Sequence, residues 1–276
     1  MRRLLVVLGL IASITGVSAQ EYEIPTLRGA DSWVPDAPGP LYRPRWSGFY
    51  VGGQLGYGAG TFDFSRTTQD LIAHQLRETQ LQSEQHPSTW SVLGQNSTRG
   101  TSAGGFVGYN IGWECLILGF ELNYSASNFS STAPVSPIGR RVVVGSNIDD
   151  VDLTAAASMR ITDYGTLRAR AGYIINGFMP FFMIGAAFGR ADVARSATTT
   201  VTQTPADGSA PPATFVFSEA EAKKAWIYGW SLGGGLEVMV MPKVFLRLEY
   251  EYIAFVPIME IKAQVQTARV GLGYKF

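Results

Sequence analysis

The stretch Val244–Tyr252, VFLRLEYEY, alternates between two kinds of side chain with a period of two residues. One face is apolar or aromatic throughout and carries Val244, Leu246, Leu248, Tyr250 and Tyr252. The opposite face carries Phe245, Arg247, Glu249 and Glu251. This period predicts a β-strand, because successive side chains of a strand point to opposite sides of its sheet. The class of protein therefore depends on which of the two faces is buried.

Three further stretches combine an apolar face with a charged one. Residues 116–124, LILGFELNY, place Glu121 opposite a row of leucines. Residues 164–173, YGTLRARAGY, place Arg168 and Arg170 opposite Leu167 and small apolar side chains. The last residues, ARVGLGYKF over 268–276, again put the base Arg269 opposite an apolar row. We expect all these charged faces to share one environment.

The charges on these faces nearly cancel. The acids are Glu121, Glu237, Glu249 and Glu251, and the bases are Arg168, Arg170, Arg247, Arg269 and Lys275. In a membrane barrel the apolar faces would point to lipid and the charges would line the lumen, where a narrow barrel forces them to pair. In a soluble sandwich, which is the alternative, the same charges would lie on a hydrated outer face. Near-balance favours ion pairs inside a lumen.

Alternating segments recur eight times along the chain. They cover residues 46–59, 100–112, 116–128, 150–174, 178–193, 222–240, 243–256 and 265–276. Connections after the second, fourth and sixth segments are short, at Trp113-Glu114-Cys115, Ile175-Asn176-Gly177 and Met241-Pro242, and the others are longer. Outer-membrane barrels show this alternation, with long loops outside the cell and short turns in the periplasm. The sequence thus predicts an all-β fold: an eight-stranded antiparallel transmembrane β-barrel with long extracellular loops and short periplasmic turns.

Aromatic residues on the apolar faces lie near the ends of several segments. Tyr and Trp side chains combine an apolar ring with a polar O–H or N–H group. They collect where lipid meets water and form the girdles of a membrane barrel. The predicted girdle consists of Tyr57, Tyr109, Tyr124, Tyr173, Trp226, Trp230 and Tyr252.

The start of the chain predicts export. Met1-Arg2-Arg3, an apolar stretch over 4–17 and the small-residue pattern Val17-Ser18-Ala19 predict a signal peptide over 1–19 that is cleaved near Ala19. An uncleaved inner-membrane anchor is the alternative, but the stretch is shorter than the ~20 residues a spanning helix needs. Residues 20–45 contain five prolines and predict a periplasmic linker, whose contact with peptidoglycan stays open, before a barrel over 46–276.

The overall charge bears on nucleic-acid binding, and the cysteine content bears on disulfide formation. The 22 basic and 22 acidic residues create no overall field, which argues against a nucleic-acid partner. Cys115 is the only cysteine, so no internal disulfide can form in an oxidising compartment. Stability must come from burial and backbone hydrogen bonds.

Two of the long connections have distinct compositions. Residues 66–86 are rich in helix formers, and the spacing of Leu71, Ile72, Gln75 and Leu76 predicts a short amphipathic helix. Residues 194–214 are rich in Thr, Ala and Pro and predict a mobile loop.

Residues suited to catalysis or to cofactor binding are scarce. His74 and His86 are the only histidines, and no Cys or carboxylate stands at metal-ligand spacing to them. Cys115 falls in a predicted short turn with no base near it in sequence, which favours a buried or idle thiol. Gly233-Gly234-Gly235 lies inside a strand pattern without the Lys-Ser/Thr of a phosphate loop. We therefore predict no catalytic residue, no metal and no cofactor.

The chain resembles a known family in the order of four motifs. They are WSGFYVGG over 46–53, LGFELNY over 118–124, YGTLRARAGY over 164–173 and RVGLGYKF over 269–276. Together they look like the small porin-like outer-membrane β-barrel family of alphaproteobacteria, whose members are major surface antigens. The resemblance implies that Gly271, Tyr274 and Phe276 form the signal that the barrel-assembly machinery recognises.

Three hypotheses about function follow. The leading one is a structural, non-enzymatic protein of the cell outer membrane that supports membrane integrity and presents its loops, in contact with outer-membrane lipid and lipopolysaccharide. A small porin-like diffusion channel is the alternative, and it requires that some inward charges be hydrated. An outer-membrane lipid-modifying enzyme is the third, and it would have to use His74 or His86. The sequence leaves the oligomeric state and the ligand of the loops open.

Overall fold

The computed structural model describes residues 46–90, 92–175 and 177–276. The predicted signal peptide over 1–19 and linker over 20–45 lie outside the described residues. The strands are β1 Gly48–Asp63, β2 Gln95–Trp113, β3 Leu116–Thr132, β4 Ile138–Val144, β5 Asn147–Tyr173, β6 Phe178–Pro205, β7 Ala213–Met241, β8 Val244–Phe255 and β9 Lys262–Lys275. Two short helices, α1 Gln69–Gln75 and α2 Gln80–Gln85, precede β2. No helix in these ranges is long and apolar enough to cross a membrane.

Eight of these strands close into a barrel. Antiparallel pairs run β1–β2–β3–β5–β6–β7–β8–β9, and β9 pairs back onto β1. The short strand β4 pairs with the far end of β5, beyond the point where β3 ends, and adds a ninth strand outside the ring. The predicted eight-stranded antiparallel barrel is confirmed, with one extra hairpin strand that the sequence analysis did not predict.

The strands are staggered around the ring. A path of directly paired residues runs from Phe49 on β1 through the eight strands of the ring and returns to β1 at Ala59, ten residues further along. This stagger over eight strands tilts them by roughly 40° from the barrel axis, within the usual range for barrels. Each residue therefore rises by roughly 2.5 Å along the axis.

The two ends of the barrel differ as predicted. At one end the turns are short, and Glu114, with φ of 54°, begins the two-residue turn between β2 and β3. Asn176 of the predicted middle turn lies outside the described residues. The other end carries both helices, β4 and the longer connections. We assign the short turns to the periplasm and the elaborate end to the cell exterior.

The prediction of a mobile loop over 194–214 is wrong. β6 continues to Pro205 and β7 starts at Ala213, so only residues 206–212 connect them. The small side chains that suggested a loop alternate instead between a buried face, which includes Ala197 and Val201, and a hydrated one. These long strands carry the sheet well past the rest of the barrel.

The polarity of the barrel inverts along its axis. Near the periplasmic end of β5, Leu167 faces outward at 55% exposure while Arg168 is buried inside. Near the other end, Leu153 is buried inside while Asp152 faces outward and is exposed. The change coincides with a bulge between Ile161 and Asp163, which shifts the strand by one residue. Below the bulge the outer surface of the barrel is apolar and suits contact with lipid, and above the bulge it is polar and suits contact with water.

The predicted amphipathic helix over 66–86 is confirmed as α1, and α2 follows it. Leu71, Ile72 and Leu76 are buried in one apolar core with the inner face of the upper sheet. Thr79 caps α2, since its hydroxyl accepts a hydrogen bond of 3.2 Å from the backbone N–H of Gln82. The two helices with the sheet they cover form the extracellular cap.

One arginine holds the cap together. Both Nη atoms of Arg195 on β6 donate to the carboxylate of Asp70 on α1 at 2.8 Å, and Nη2 also donates to Glu221 on β7 at 2.7 Å. Arg195 is buried and Asp70 is about half exposed, and the bidentate geometry makes this pair stronger than a surface ion pair with a single contact.

Arg195→Ala is expected to loosen the cap without unfolding the barrel. Removal of the guanidinium leaves Asp70 and Glu221 without their shared partner, at a cost of about 1–3 kcal/mol for local opening. Hydrogen exchange of residues 64–93 should then accelerate about tenfold or more. Arg77→Ala, which removes an exposed pair with Glu78, is the matched control and should change nothing measurable. Equal exchange in Arg195→Ala and in the native protein would refute the role of this arginine.

Candidate functional site

The structure brings the eight predicted lumen charges together in one buried layer. None is more than 4% exposed. They are Glu121, Arg168, Arg170, Glu237, Arg247, Glu249, Glu251 and Arg269. Four arginines meet four glutamates, so this layer, which we call the lumen network, carries no net charge. Its position inside a ring of lipid-facing side chains is the one that the alternation of the sequence predicts.

Arg168 on β5 is the centre of the lumen network. Its Nη1 donates to Glu249 at 2.6 Å and to Glu251 at 2.9 Å, and its Nη2 contacts Glu121. A guanidinium offers five N–H donors in a rigid plane, which suits contact with several carboxylates at once. One arginine thereby joins acids from β3 and β8 across the lumen.

Arg247 links the other members. Its Nη2 lies 2.7 Å from Glu121 and 2.6 Å from Glu237. Arg170 also reaches Glu237, at 2.9 Å from Nη2. Desolvation of eight charges is costly, and only mutual pairing with hydrogen bonds offsets that cost. The network is therefore stable as a whole and sensitive to the loss of any one member.

Arg269 completes the network from β9. Its Nη1 donates to Glu249 at 3.1 Å, and its Nη2 contacts Glu251. Lys275, which the sequence analysis grouped with these charges, is also buried, but its ammonium donates to the backbone carbonyl of Trp46 at the periplasmic end.

Two tyrosines belong to the network and were missed in the sequence. The hydroxyl of Tyr50 donates to Glu121 at 2.7 Å and accepts from Arg170 at 2.8 Å. Arg269 donates to the hydroxyl of Tyr164 at 3.0 Å. Tyr164 alternates in phase with Arg168, so the sequence pattern predicts that it points inward. The pattern does not indicate that its hydroxyl contacts an arginine.

Aromatic rings close the lumen on the periplasmic side. Tyr50, Phe106 and Phe245 are buried, with ring centroids about 6 Å apart. The guanidinium of Arg247 lies 3.9 Å from the ring centroid of Phe106 in a cation–π contact. Glycine makes room for these rings, since a Cβ at Gly273 would lie 2.1 Å from Phe245. We call these three rings, together with Trp46, the aromatic floor.

An apolar layer closes the lumen on the extracellular side. It consists of buried side chains from the upper strands, joined to the core of the cap. Among them are Phe62, Phe129, Ile161, Ile227, Ile253, Phe255 and Val265. Between this apolar ceiling and the lumen network lie small buried polar side chains such as Thr166 and Ser231. The charges are therefore enclosed between two apolar seals.

The seven predicted girdle residues all face outward. Tyr109 and Tyr173 lie close to the short turns, whereas Trp226 and Trp230 lie towards the cap. Each of these four side chains is more than half exposed. Tyr57 and Tyr124 are also exposed, and the ring of Tyr252 lies 5.4 Å from that of Trp230. The rings cluster toward both ends of the apolar band, as expected for girdles.

The predicted assembly signal lies on β9 and at its end. Tyr274 and Phe276 face outward with ring centroids 5.2 Å apart, and Phe276 donates its backbone N–H to Phe49 of β1 at 3.0 Å. Gly271 faces inward, and a Cβ there would lie 3.1 Å from Phe106. Recognition by the assembly machinery stays a prediction.

In the part of the chain that the structure describes, neither the histidines nor the cysteine belongs to a group of three or more potential metal ligands. His74 is exposed and lies 3.3 Å from Glu219, and His86 caps α2 with φ of 50°. Cys115 is exposed in its turn, so the alternative of a buried thiol is wrong. Within the described ranges no group of three potential ligands is placed to hold a metal ion.

The extracellular carboxyls respond to their local surroundings. Two hydrogen bonds from Ser65, at 3.0 and 2.7 Å, lower the pKa of Asp63. Burial at the upper end of β5 raises the pKa of Asp149, opposed by a weak hydrogen bond from Gln203. Both shifts are explained by the local structure of the cap.

Comparison with known proteins identifies the family. The family model described as "Outer membrane protein beta-barrel domain" matches residues 11–276. The chain belongs to this family. The outer-membrane barrel is therefore located in the outer membrane of a Gram-negative bacterium, and the strand pairing, the inverted polarity and the closed ring all agree with that location.

Two relatives come from Brucella. The outer-membrane barrel is 25% identical over 293 residues to the 31 kDa outer-membrane immunogenic protein of Brucella melitensis biotype 1, over 98% of this chain and 99% of the relative. It is 25% identical over 245 residues to the 25 kDa outer-membrane immunogenic protein of Brucella ovis, over 88% of this chain and 85% of the relative. Both relatives are named outer-membrane immunogenic proteins, and the chain is similar to them over most of its length.

Among solved structures, Neisserial surface protein A is similar over 83% of this chain and 98% of that chain. The identity is 14% and the TM-score 0.35, and a likeness of that size adds nothing to the assignment.

Proposed function

We propose that this protein is a structural, non-enzymatic barrel that does not conduct ions. It would contribute to the integrity of the outer membrane and hold a rigid cap above the cell surface. The observation that carries the proposal is the charge-balanced lumen network enclosed between the aromatic floor and the apolar ceiling. A lumen filled in this way stabilises the barrel. Contacts with lipid and with molecules outside the cell are then made by the outer surface and the cap.

A diffusion channel would need a continuous hydrated path through the lumen. Conducting pores line such a path with charges that remain in contact with water. Here Arg168 and its glutamate partners are about 1% exposed, and buried rings lie beneath them. Opening a path would separate buried ion pairs and move several large side chains. This favours the structural function over the channel.

The cap supports the second half of the proposal. From Gly189 to Pro205, β6 rises by roughly 40 Å beyond the level at which the polarity inverts. The helices fill the inner face of this sheet with apolar contacts, and Arg195 ties them to it. A platform this tall and this well packed can present a fixed surface outside the membrane, which a disordered loop cannot.

Conductance in planar lipid bilayers tests the proposal. The purified full chain is expected to insert without discrete current steps, while a channel-forming porin inserted in parallel provides the positive control. Correct folding of the same preparation is checked by its faster migration on unboiled gels. Reproducible current steps from the native protein, altered in size by Glu249→Gln, would favour the diffusion channel instead.

A further inference from the structure

Two rows of charged and aromatic side chains face outward where the polarity of the barrel inverts. In the lower row, Asp163 on β5 pairs with Arg190 on β6, which pairs with Trp226 on β7. In the upper row, Arg160 pairs with Asp192, which pairs with Lys224. We call these six residues the rim cluster. They come from three adjacent strands, so their backbones hold them in fixed register.

The rim cluster lies at the height of the outer-leaflet head groups. Arg190 is twelve residues above Phe178, the periplasmic start of β6, which places it roughly 30 Å higher along the axis. The apolar band of outer-membrane barrels is ~25 Å tall. Trp226 and Tyr228, both exposed, mark the upper edge of the band on the neighbouring strand. Cations here would meet the anionic groups at the membrane surface.

Arg190 is oriented before any ligand arrives. Its Nη2 lies 2.7 Å from Asp163, and its guanidinium lies 5.9 Å from the ring centroid of Trp226. The side chain is 55% exposed, so a ligand can reach the guanidinium from the solvent side. An arginine held by an acid and an aromatic ring loses little conformational entropy when it binds a phosphate.

The upper row supplies two more cations and one acid. Arg160 and Lys224 are exposed on either side of Asp192, and among the described residues no carboxylate comes within ion-pair distance of either cation. An open surface depression of about 300 Å³ is lined by residues of both rows, including Arg190, Asp192 and Lys224. A second open depression of about 470 Å³, lined by Arg160, Lys224 and Ser158, lies next to it. The cluster thus has room for a ligand beside its charges.

We infer that the rim cluster binds the phosphorylated sugar head group of lipopolysaccharide in the outer leaflet. This inference rests on the proposed function, a structural barrel embedded in the outer membrane, and it names the lipid that this barrel binds. Arg160, Arg190 and Lys224 match phosphate, because planar guanidinium groups and an ammonium donate several hydrogen bonds to its oxygens. Asp192 between them accepts hydrogen bonds from sugar hydroxyls, which a glycolipid offers and a free phosphate ion does not. Trp226 covers the boundary between head group and acyl chains.

The test compares lipopolysaccharide binding by purified, detergent-folded full-length variants. The double variant Arg160→Ala/Lys224→Ala is expected to bind fluorescent lipopolysaccharide about tenfold more weakly or worse than the native protein. The matched control is Arg99→Ala/Lys262→Ala, which removes two exposed cations from β2 and β9, away from the rim cluster, and should bind like the native protein. All variants must first show native migration on unboiled gels.

Three results with the variants and with inorganic phosphate would overturn the inference. They are native affinity in the rim double variant, an equal loss in the control double variant, and competition by inorganic phosphate as effective as that by unlabelled lipopolysaccharide. Dephosphorylated lipopolysaccharide is expected to compete poorly, and full competition by it would also contradict the role of the cations. Conductance is measured separately, so a failed rim site with an electrically silent barrel would leave the proposed function standing.

Discussion

Arg168→Ala is expected to lower the free energy of unfolding by about 3–5 kcal/mol. The substitution removes the one cation that contacts Glu121, Glu249 and Glu251 together. The lumen then carries a net negative charge that water cannot reach, and an uncompensated buried charge costs far more than the pair contributed. Urea unfolding of the protein folded into lipid vesicles, followed by gel migration, measures the change.

Two companion variants separate this effect from a general loss of an arginine. Arg141→Ala removes an arginine whose pair with Asp150 is exposed, and it should cost less than about 1 kcal/mol. Arg168→Ala combined with Glu249→Gln restores equal numbers of acids and bases, and it should recover part of the lost stability. A double variant as unstable as Arg168→Ala, or an unchanged urea midpoint in the single variant, would contradict a network governed by charge balance.

Leu122→Arg is expected to destabilise the barrel by about 2–4 kcal/mol in lipid. Leu122 faces outward at 43% exposure, about midway along β3 between Leu116 and the ceiling residue Phe129. A guanidinium at this depth has no carboxylate and no water to solvate it, so the bilayer must deform or the side chain must stretch to the surface. Unfolding in vesicles measures the cost.

Thr154→Arg provides the matched control on the same outer surface. Thr154 faces outward and is exposed on β5, above the bulge where the polarity inverts. Because this part of the sheet stands in water, the substitution should change the free energy of unfolding by less than about 0.5 kcal/mol. Equal costs for the two arginines would mean that lipid does not distinguish the lower part of the barrel from the upper part.

The lipid-embedded part of the fold was predictable because one physical constraint acts on every residue there. Outward side chains must be apolar and inward ones must be polar, small or paired, so the period of two is visible in stretches such as 244–252 and 164–173. The lumen network followed from the same pattern. The near-equal numbers of acids and bases at the inward-facing positions predict that these charges form ion pairs.

The extracellular part was less predictable because the constraint reverses. Above the bulge in β5 the apolar residues turn inward, and helices rather than lipid cover them. Inner positions such as Ala197 and Thr199 on β6 can then be small. The alternation of large apolar and polar side chains is lost, and the composition of the strand resembles that of a loop. β4 was missed for a related reason. Its seven residues pair with one strand only, outside the ring, so no lipid-facing pattern marks them.

Individual partners in the lumen were beyond the reach of the sequence. The alternation places Arg168, Arg170 and Arg247 inside, but the stagger of the ring decides which glutamate each one meets. A stagger that differed by two residues would keep every side chain on its face and change every pair. Tyr50 joins the network for the same reason, since it enters from β1 to reach Glu121 on β3.

Spin labels placed along β5 would test the central claim most directly, since the claim is that polarity inverts at the bulge beside Asp163. Single cysteines would replace Leu167, Ala169 and Ala171 below it and Asp152, Thr154 and Ala156 above it, in a chain with Cys115→Ser. Relaxation by oxygen, which dissolves in lipid, and by a water-soluble nickel complex reports which medium each label contacts. We expect the lower three labels to respond to oxygen and the upper three to nickel. Nickel access at the lower three positions, or one uniform response along the strand, would contradict the account.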